Sequence, residues 1–239
     1  MSPKITQRAG LALAMLLFAL PAAASINKSI RIEAGTTADG ASSVNGSVTV
    51  ESGAIVTGEV STVNGTIRIE DNAQVESAET VNGGLRVGSS VTARGLETVN
   101  GSIRVGDNST IDGGIEAVNG KIAVGKGTRV DRGIQNVNGE IELAGAEIGG
   151  NLETVNGDVE LSDGAILRGD LIIEKPSSWG WNKNKNRKPR IVIGPGSAVE
   201  GTIKLEREVE LFISESARVG GVSGVMSMDD AERFSGAKP

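Results

Sequence analysis

The chain has 239 residues, with 34 Gly, 3 Phe, 2 Trp and no Cys, His or Tyr, and its net charge is −6. The absence of Cys excludes disulfides and thiolate chemistry, and the absence of His excludes a Ser-His-Asp triad and imidazole metal sites. Aromatic residues make up only 2% of the chain, which excludes an ordinary aromatic-rich core. The many glycines favour a regular, turn-rich β architecture.

The N-terminal segment has the parts of an export signal. Lys4 and Arg8 precede an apolar run over residues 9–20, and a proline and three alanines follow it. The run is short for a membrane span and ends at small residues that a signal peptidase recognises. We therefore predict a signal peptide over residues 1–24, a mature chain that starts near Ser25, and export to the periplasm or cell envelope of a bacterium. A retained N-terminal anchor is the alternative.

The tripeptide Val-Asn-Gly occurs seven times, with its asparagines 18 or 19 residues apart. Four residues with apolar side chains at the second and fourth positions follow each tripeptide, as at 102–105. This alternation is typical of a strand with one buried face. A second apolar element with a central residue that is usually Gly follows about ten residues after the Asn, as at 111–115. The seven asparagines are Asn45, Asn64, Asn82, Asn100, Asn119, Asn138 and Asn156.

A period of 18–19 residues with two or three short strands predicts a β-solenoid, in which parallel coils stack about 4.8 Å apart. The predicted fold is an all-β, single-domain parallel β-helix of about ten coils over residues 25–224, with a C-terminal cap or tail over 225–239. An antiparallel meander is the alternative, because Asn-Gly also favours hairpins, but the tripeptides recur too far apart for one.

The repeated Asn and Gly residues have structural roles in this prediction. We expect the glycines to occupy corners where φ is positive. We expect the seven asparagines to form a ladder in which side-chain amides hydrogen-bond along the stack and satisfy backbone groups at the corners. A repetitive row that binds a ligand is the alternative function of this ladder, and the need for Asn-Gly at a tight corner favours the structural one.

The C-terminal tail loses the repeat pattern. Ser227 and Asp230 have the spacing of a helix cap, and Met228 and Phe234 are apolar residues that would cover the open end of the rod.

Two stretches resemble known bacterial families. Residues 193–203 resemble the repeat of the bactofilins, and residues 98–105 resemble the repeat of bacterial β-strand-repeat "putative adhesin" proteins. The first resemblance implies a right-handed, polymer-forming β-helix, and the second implies a family whose function is mostly unknown. Both motifs encode coil geometry more than function. The export signal and the capped tail depart from bactofilins, which argues against end-to-end polymerisation.

Charges on the outward-facing strand positions change sign along the rod. They are basic toward the N-terminus and acidic toward the C-terminus, a gradient that would align neighbouring rods laterally. Four carboxylates fall on two successive coils, and carboxylate oxygens are ligands for Ca²⁺, so they form a candidate weak calcium site. A solvated acidic patch is the alternative that we favour. The four residues are Glu140, Glu142, Asp158 and Glu160.

The periodicity breaks once, at an insertion over residues 174–189 that contains both tryptophans of the chain and a cluster of basic residues. Insertions in solenoids form loops on one face, often the binding face. Trp beside Lys and Arg suits an anionic glycan, lipid headgroups or an acidic envelope protein, whereas nucleic acid does not suit an exported protein. An idle insertion is the alternative. The candidate partner-binding residues are Trp179, Trp181, Lys183, Lys185, Arg187 and Lys188.

These features favour a non-enzymatic envelope scaffold or adhesin-like binding protein without a resident cofactor. The alternative is a polysaccharide lyase or hydrolase, because β-helices also support such enzymes and carboxylates alone can carry glycoside hydrolysis. An enzyme would need several long loops around a groove that holds carboxylates, and the single long loop contains one Glu at its edge.

Overall fold

The computed structural model describes residues 24–176 and 187–239, and it contains a single all-β domain. Short strands pair in parallel with the equivalent strands one coil earlier and one coil later, so the chain winds as a β-solenoid. The predicted fold, a parallel solenoid of about ten coils, is confirmed. Its handedness stays a prediction, and the predicted signal peptide lies outside the described residues except for its last residue, Ala24.

Eleven strands, one for each coil and one from the C-terminal tail, form what we call sheet 1. Its outer surface is face 1. The strands are Ile30–Ile32, Val48–Val50, Ile67–Ile69, Leu85–Val87, Ile103–Val105, Ile122–Val124, Ile141–Ala144, Val159–Ser162, Arg190–Ile193, Glu210–Ser214 and Glu232–Phe234.

Sixteen strands form sheet 2, which bends around a corner and supplies the other two sides of each coil. Face 2 is the outer surface of strands like Thr110–Ile111, and face 3 is the outer surface of strands like Ile115–Asn119. The strands are Ala24–Ser25, Thr37–Ala38, Ala41–Ser43, Ile55–Thr62, Gln74–Thr80, Thr92–Asn100, Thr110–Ile111, Ile115–Asn119, Arg129–Val130, Ile134–Asn138, Glu147–Ile148, Leu152–Thr154, Ile166–Leu167, Leu171–Ile173, Ala198–Leu205 and Arg218–Gly224.

The core is a stack of equivalent aliphatic side chains. Because side chains alternate across a strand, the apolar residues of each repeat point inward. Ile103, Ile122 and Ile141 are adjacent in register, and each is fully buried. The narrow interior is filled by Val, Ile, Leu and Ala, which explains why the chain needs so few aromatic residues.

The glycines of the Val-Asn-Gly tripeptides are required for a reason other than the predicted one. Except for Gly139, their φ angles are not positive, so the predicted backbone role is wrong for them. Instead, a Cβ atom added at Gly83, Gly101 or Gly120 would lie 1.7–1.8 Å from the carbonyl oxygen of the equivalent glycine one coil earlier. The corner requires Gly because consecutive backbones approach so closely there.

Positive φ angles occur instead in the turns that follow sheet 1. Asn72, Ser90 and Asn108 adopt φ angles of 56–61° at equivalent positions of three coils. Gly53 and Gly127 adopt 69° and 71° at the same place in other coils. Asn is among the residues that tolerate this conformation best, so the turn sequences fit their backbone.

Buried Thr side chains satisfy the corner carbonyls, a role that the sequence analysis assigned to the asparagines. The Oγ1 atoms of Thr62, Thr80 and Thr98 donate to the carbonyl oxygens of Gly46, Gly65 and Gly83 at 2.8–3.1 Å. Each Thr lies two residues before a repeat Asn, and each is at most 4% exposed. The interior polar groups therefore bond across coils and hold the corners together.

The C-terminal tail packs on the last coil. Ser227 precedes a 3₁₀ turn over Met228–Asp230, and its backbone N–H donates to Asp230 Oδ2 at 2.8 Å. Glu232–Phe234 then adds to sheet 1 with Phe234 only 8% exposed. The chain end lies against face 1, where the Lys238 Nζ atom is 3.2 Å from Glu160 Oε1.

Candidate binding surfaces

The seven repeat asparagines form a continuous hydrogen-bonded ladder along one corner of the rod. Each Nδ2 donates to the Oδ1 of the Asn one coil earlier, at 2.8–3.0 Å. The first of them, Asn45, donates to Asn27, which adds an eighth rung. The side chains are exposed from Asn45 to Asn138 and half-buried at Asn156. Because each side-chain amide is already hydrogen-bonded to its neighbours, the ladder is better suited to stabilising the rod than to binding a ligand.

Removing one rung should have a modest effect because the ladder faces solvent. Asn100→Ala deletes two amide hydrogen bonds, to Asn82 and from Asn119, that water partly replaces. We expect the free energy of unfolding to fall by about 0.5–1.5 kcal/mol, measured by denaturant unfolding. A loss above 3 kcal/mol would mean that the ladder behaves as a buried network. No change would mean that the amide stack contributes nothing.

Arg207 ends the ladder, a role that was not predicted from the sequence. In register it occupies the Asn position two coils after Asn156, because Ile173 pairs with both Thr154 and Leu205. Its Nη1 atom reaches across the coil that carries the insertion and donates to Asn156 Oδ1 at 2.9 Å. Burial, and then the charge of Arg187, lower the pKa of Arg207. Only the strand register reveals this role, because the sequence around Arg207 does not resemble Val-Asn-Gly.

The C-terminal end of the insertion is fixed to the rod by ion pairs. Arg187 forms an ion pair with Asp158 and also donates to the carbonyl oxygen of Asn156 at 3.3 Å. Lys188 lies 2.8 Å from Glu208, and this hydrogen bond raises the pKa of Lys188. Their charges, which we predicted for partner binding, are therefore already opposed within the chain. The other four candidates, Trp179, Trp181, Lys183 and Lys185, lie outside the described residues.

Two carboxylates of the candidate calcium site, Glu142 and Glu160, lie on neighbouring strands of sheet 1, and Glu140 and Asp158 come directly before those strands. Each has a cation beside it: Lys121 contacts Glu140, at 3.2 Å, and Glu142. Arg187 contacts Asp158, and Lys238 contacts Glu160. Burial is the largest single effect on Glu142 and would raise its pKa, but the hydrogen bond and charge of Lys121 and the smaller effects of Glu140 and Lys238 together lower the pKa. As described, the carboxylates are ion-pair partners; calcium binding by them stays a prediction.

A second row of carboxylates, on face 3, was not predicted. Glu79, Glu97 and Glu116 are adjacent in register and stack on three successive coils. Burial, followed by the charges of Glu59, Glu97 and Glu116, raises the pKa of Glu79 to about 7. Burial raises the pKa of Glu97 as well. The signal was present in the sequence, since each of these residues lies three positions before a repeat Asn.

The N-terminal half of face 1 carries a row of arginines. Arg68, Arg86 and Arg104 are direct neighbours in register and point outward from three successive coils. The row ends at Ala123, after which Glu142 and Glu160 follow on the same line. The reversal of charge along the outward positions of sheet 1 is therefore a feature of the folded surface.

Within residues 24–176 and 187–239, no group of three or more acidic side chains is arranged to hold a metal ion. The same residues include no helix that is long and apolar enough to cross a membrane. Comparisons of the chain with models of known protein families, with curated proteins and with solved structures found no match. Function therefore has to be inferred from the fold and from the chemistry of its surfaces.

Proposed function

We propose that the protein is an exported, non-enzymatic scaffold or adhesin-like binding protein of a bacterial envelope. The solenoid serves as a rigid rod, and the insertion at 174–189 serves as the contact segment for an anionic glycan, lipid headgroups or an acidic envelope protein. Association of neighbouring rods is a second role for this β-helix, either lateral, which the charge gradient favours, or end to end, which would require the C-terminal tail to leave the last coil.

The observation that carries this proposal is the way the rod holds the insertion. The strands on both sides of it keep their register, because Leu171–Ile173 pairs with Ala198–Leu205 and Val159–Ser162 pairs with Arg190–Ile193. Arg207 spans the coil with the insertion and continues the ladder, since its Nη1 atom donates to Asn156 Oδ1 at 2.9 Å. A segment presented from a fixed base loses less entropy on binding than one on a mobile tether.

Replacing residues 177–186 by Asn-Gly tests the proposal while it spares Arg187 and Lys188. We expect the β content to stay unchanged in circular dichroism and the stability to change by about 1 kcal/mol or less, because loop-closure entropy varies only with the logarithm of length. Cosedimentation with vesicles that contain anionic lipid, and with anionic envelope polysaccharide that carries no uronate, should be lost. In the intact chain it should weaken with added salt.

The matched control is Lys28→Gln/Lys126→Gln, which removes two positive charges from the rod and leaves the insertion intact. It should cosediment like the intact chain, whereas Trp179→Ala/Trp181→Ala should cosediment less. Retained binding after the replacement would contradict the proposal for this segment. Release of shortened glycans during the incubation would favour the polysaccharide-active enzyme instead.

A further inference from the structure

Arg86 and Arg104, in the middle of the arginine row, have no partner in the described part of the chain. Neither makes a hydrogen bond or ion pair there. By contrast, Arg94 pairs with Glu76, and Arg129 Nε lies 2.8 Å from Asp131 Oδ1. Stacked like charges on adjacent strands are destabilising, so these two side chains carry a cost that no internal contact offsets.

Small residues flank the two arginines, and neither arginine contacts a carboxylate in the described part of the chain. Gly84 and Ser102 come two residues before them, and Gly88 and Gly106 come two residues after them. Asp107, the nearest acid along the chain to Arg104, has its Oδ1 atom occupied by the backbone N–H of Lys126 at 2.9 Å. Arg68, one coil earlier, has Glu70 at 3.9 Å, a weaker contact than most ion pairs of the rod. The row therefore has two unopposed guanidinium groups, at Arg86 and Arg104, and a loosely paired one at Arg68.

The spacing between the arginines favours a ligand whose charged groups repeat at the same distance. Neighbouring strands of a sheet lie about 4.8 Å apart, so the strip offers one guanidinium per 4.8 Å along the rod axis. A sugar residue in an extended polysaccharide has a length close to this spacing. Guanidinium groups bind carboxylates through two parallel hydrogen bonds, which favours a carboxylate at each rung. The Thr66 and Ser102 hydroxyls, beside the row, add groups that bond sugar hydroxyls.

We propose that Arg68, Arg86 and Arg104 form a binding site for an extended acidic polysaccharide, with one uronate carboxylate at each arginine and the chain of sugars parallel to the rod axis. This site goes beyond the role proposed for residues 174–189 and lies on different coils. The protein as a whole is negatively charged, with a net charge of −6, so binding of a polyanion needs a local site of this kind.

Binding of polygalacturonate to the full chain, measured by isothermal titration calorimetry, tests the site. We expect binding that weakens with added salt, and no binding of fully methyl-esterified polygalacturonate, which lacks the charges. Trigalacturonate should bind more tightly than digalacturonate because it fills all three rungs. Arg86→Gln/Arg104→Gln should weaken the binding of polygalacturonate by about tenfold or more, since two charge-assisted contacts are lost.

The control is Arg94→Gln/Arg129→Gln, which removes the same charge from face 2 and should change the affinity less than twofold. An equal loss in both double variants would mean that net charge alone attracts the polymer, and the site would be rejected. The site would also be rejected if the intact chain bound no polygalacturonate. A changed sedimentation coefficient in Arg86→Gln/Arg104→Gln without a change in affinity would assign the row to contacts between copies of the chain instead.

The two proposals fail separately. Trp179→Ala/Trp181→Ala should leave binding of polygalacturonate to the arginine row unchanged. If that variant loses it while Arg86→Gln/Arg104→Gln keeps it, the polysaccharide binds the insertion and the arginine site is wrong.

Discussion

Gly101→Ala should destabilise the rod by at least about 3 kcal/mol, or prevent it from folding. The added Cβ would lie 1.8 Å from the carbonyl oxygen of Gly83, and this oxygen is backbone that cannot move without disturbing the next coil. That oxygen also accepts the hydrogen bond from Thr98 at 2.9 Å, so any displacement breaks an interior bond as well. Thermal and denaturant unfolding followed by circular dichroism measure the loss.

Gly95 supplies the matched control, because it lies in the same strand as the residues before Gly101. A Cβ at Gly95 meets no atom within 4 Å, and its φ angle is not positive. Gly95→Ala should therefore leave stability unchanged or raise it by up to about 1 kcal/mol through the unfolded state. If the two variants unfold alike, the close approach of the corner backbones does not limit the choice of residue.

Glu79→Gln should stabilise the protein at pH 8 and remove part of its pH dependence. Burial raises the folded-state pKa of Glu79 to about 7, above the ordinary value of about 4.3 for Glu. The stability that protonated Glu79 contributes is therefore fully present below about pH 4 and is lost as the pH rises through about 7. After allowance for solvent screening on this half-exposed face, we expect a gain of about 1–2 kcal/mol at pH 8 and little change at pH 4.5.

Melting temperatures between pH 4.5 and 8.5 check this prediction. The contribution of Glu79 should make the wild type melt at a higher temperature near pH 5 than near pH 8. Glu79→Gln should reduce this difference in melting temperature. Gln135 already occupies the equivalent position of another coil, which shows that the amide fits there. The control is Glu215→Gln at an exposed turn, which removes one charge away from the row. If both variants gained the same stability, the gain would come from the lower net negative charge and not from the burial of Glu79.

Sequence periodicity was sufficient for the fold because one local pattern determines each strand. The alternation at 102–105 gives a strand with Ile103 and Val105 inward, and the structure buries both. The role of the repeat glycines was not accessible in this way. Glycine is required there because two backbone segments 18 or 19 residues apart in sequence approach closely. The known preference of glycine for positive φ angles concerns only the conformation of a single residue.

The candidate binding surfaces could not be predicted without the register between strands, which depends on contacts between coils. Arg207 looks unrelated to Asn156 in sequence, and its place in the ladder appears only when the coil with the insertion is aligned between them. The glutamate row could have been predicted from the position three residues before each Asn, but the strand pattern that follows Val-Asn-Gly does not include that position. The charges on Arg187 and Lys188 could not be assigned from sequence, because Asp158 and Glu208 are distant along the chain.

The equivalence of neighbouring coils has a consequence for how such a rod changes length. Eighteen residues separate Asn82 from Asn100, and the inward side chains of the two coils match in register. A tandem duplication of this segment would add one whole coil and lengthen the rod by about 4.8 Å. An insertion of one residue within a strand would instead turn the following inward side chains outward. Recombination between repeats of the gene can therefore alter the reach of the rod in whole-coil steps without redesign of its core.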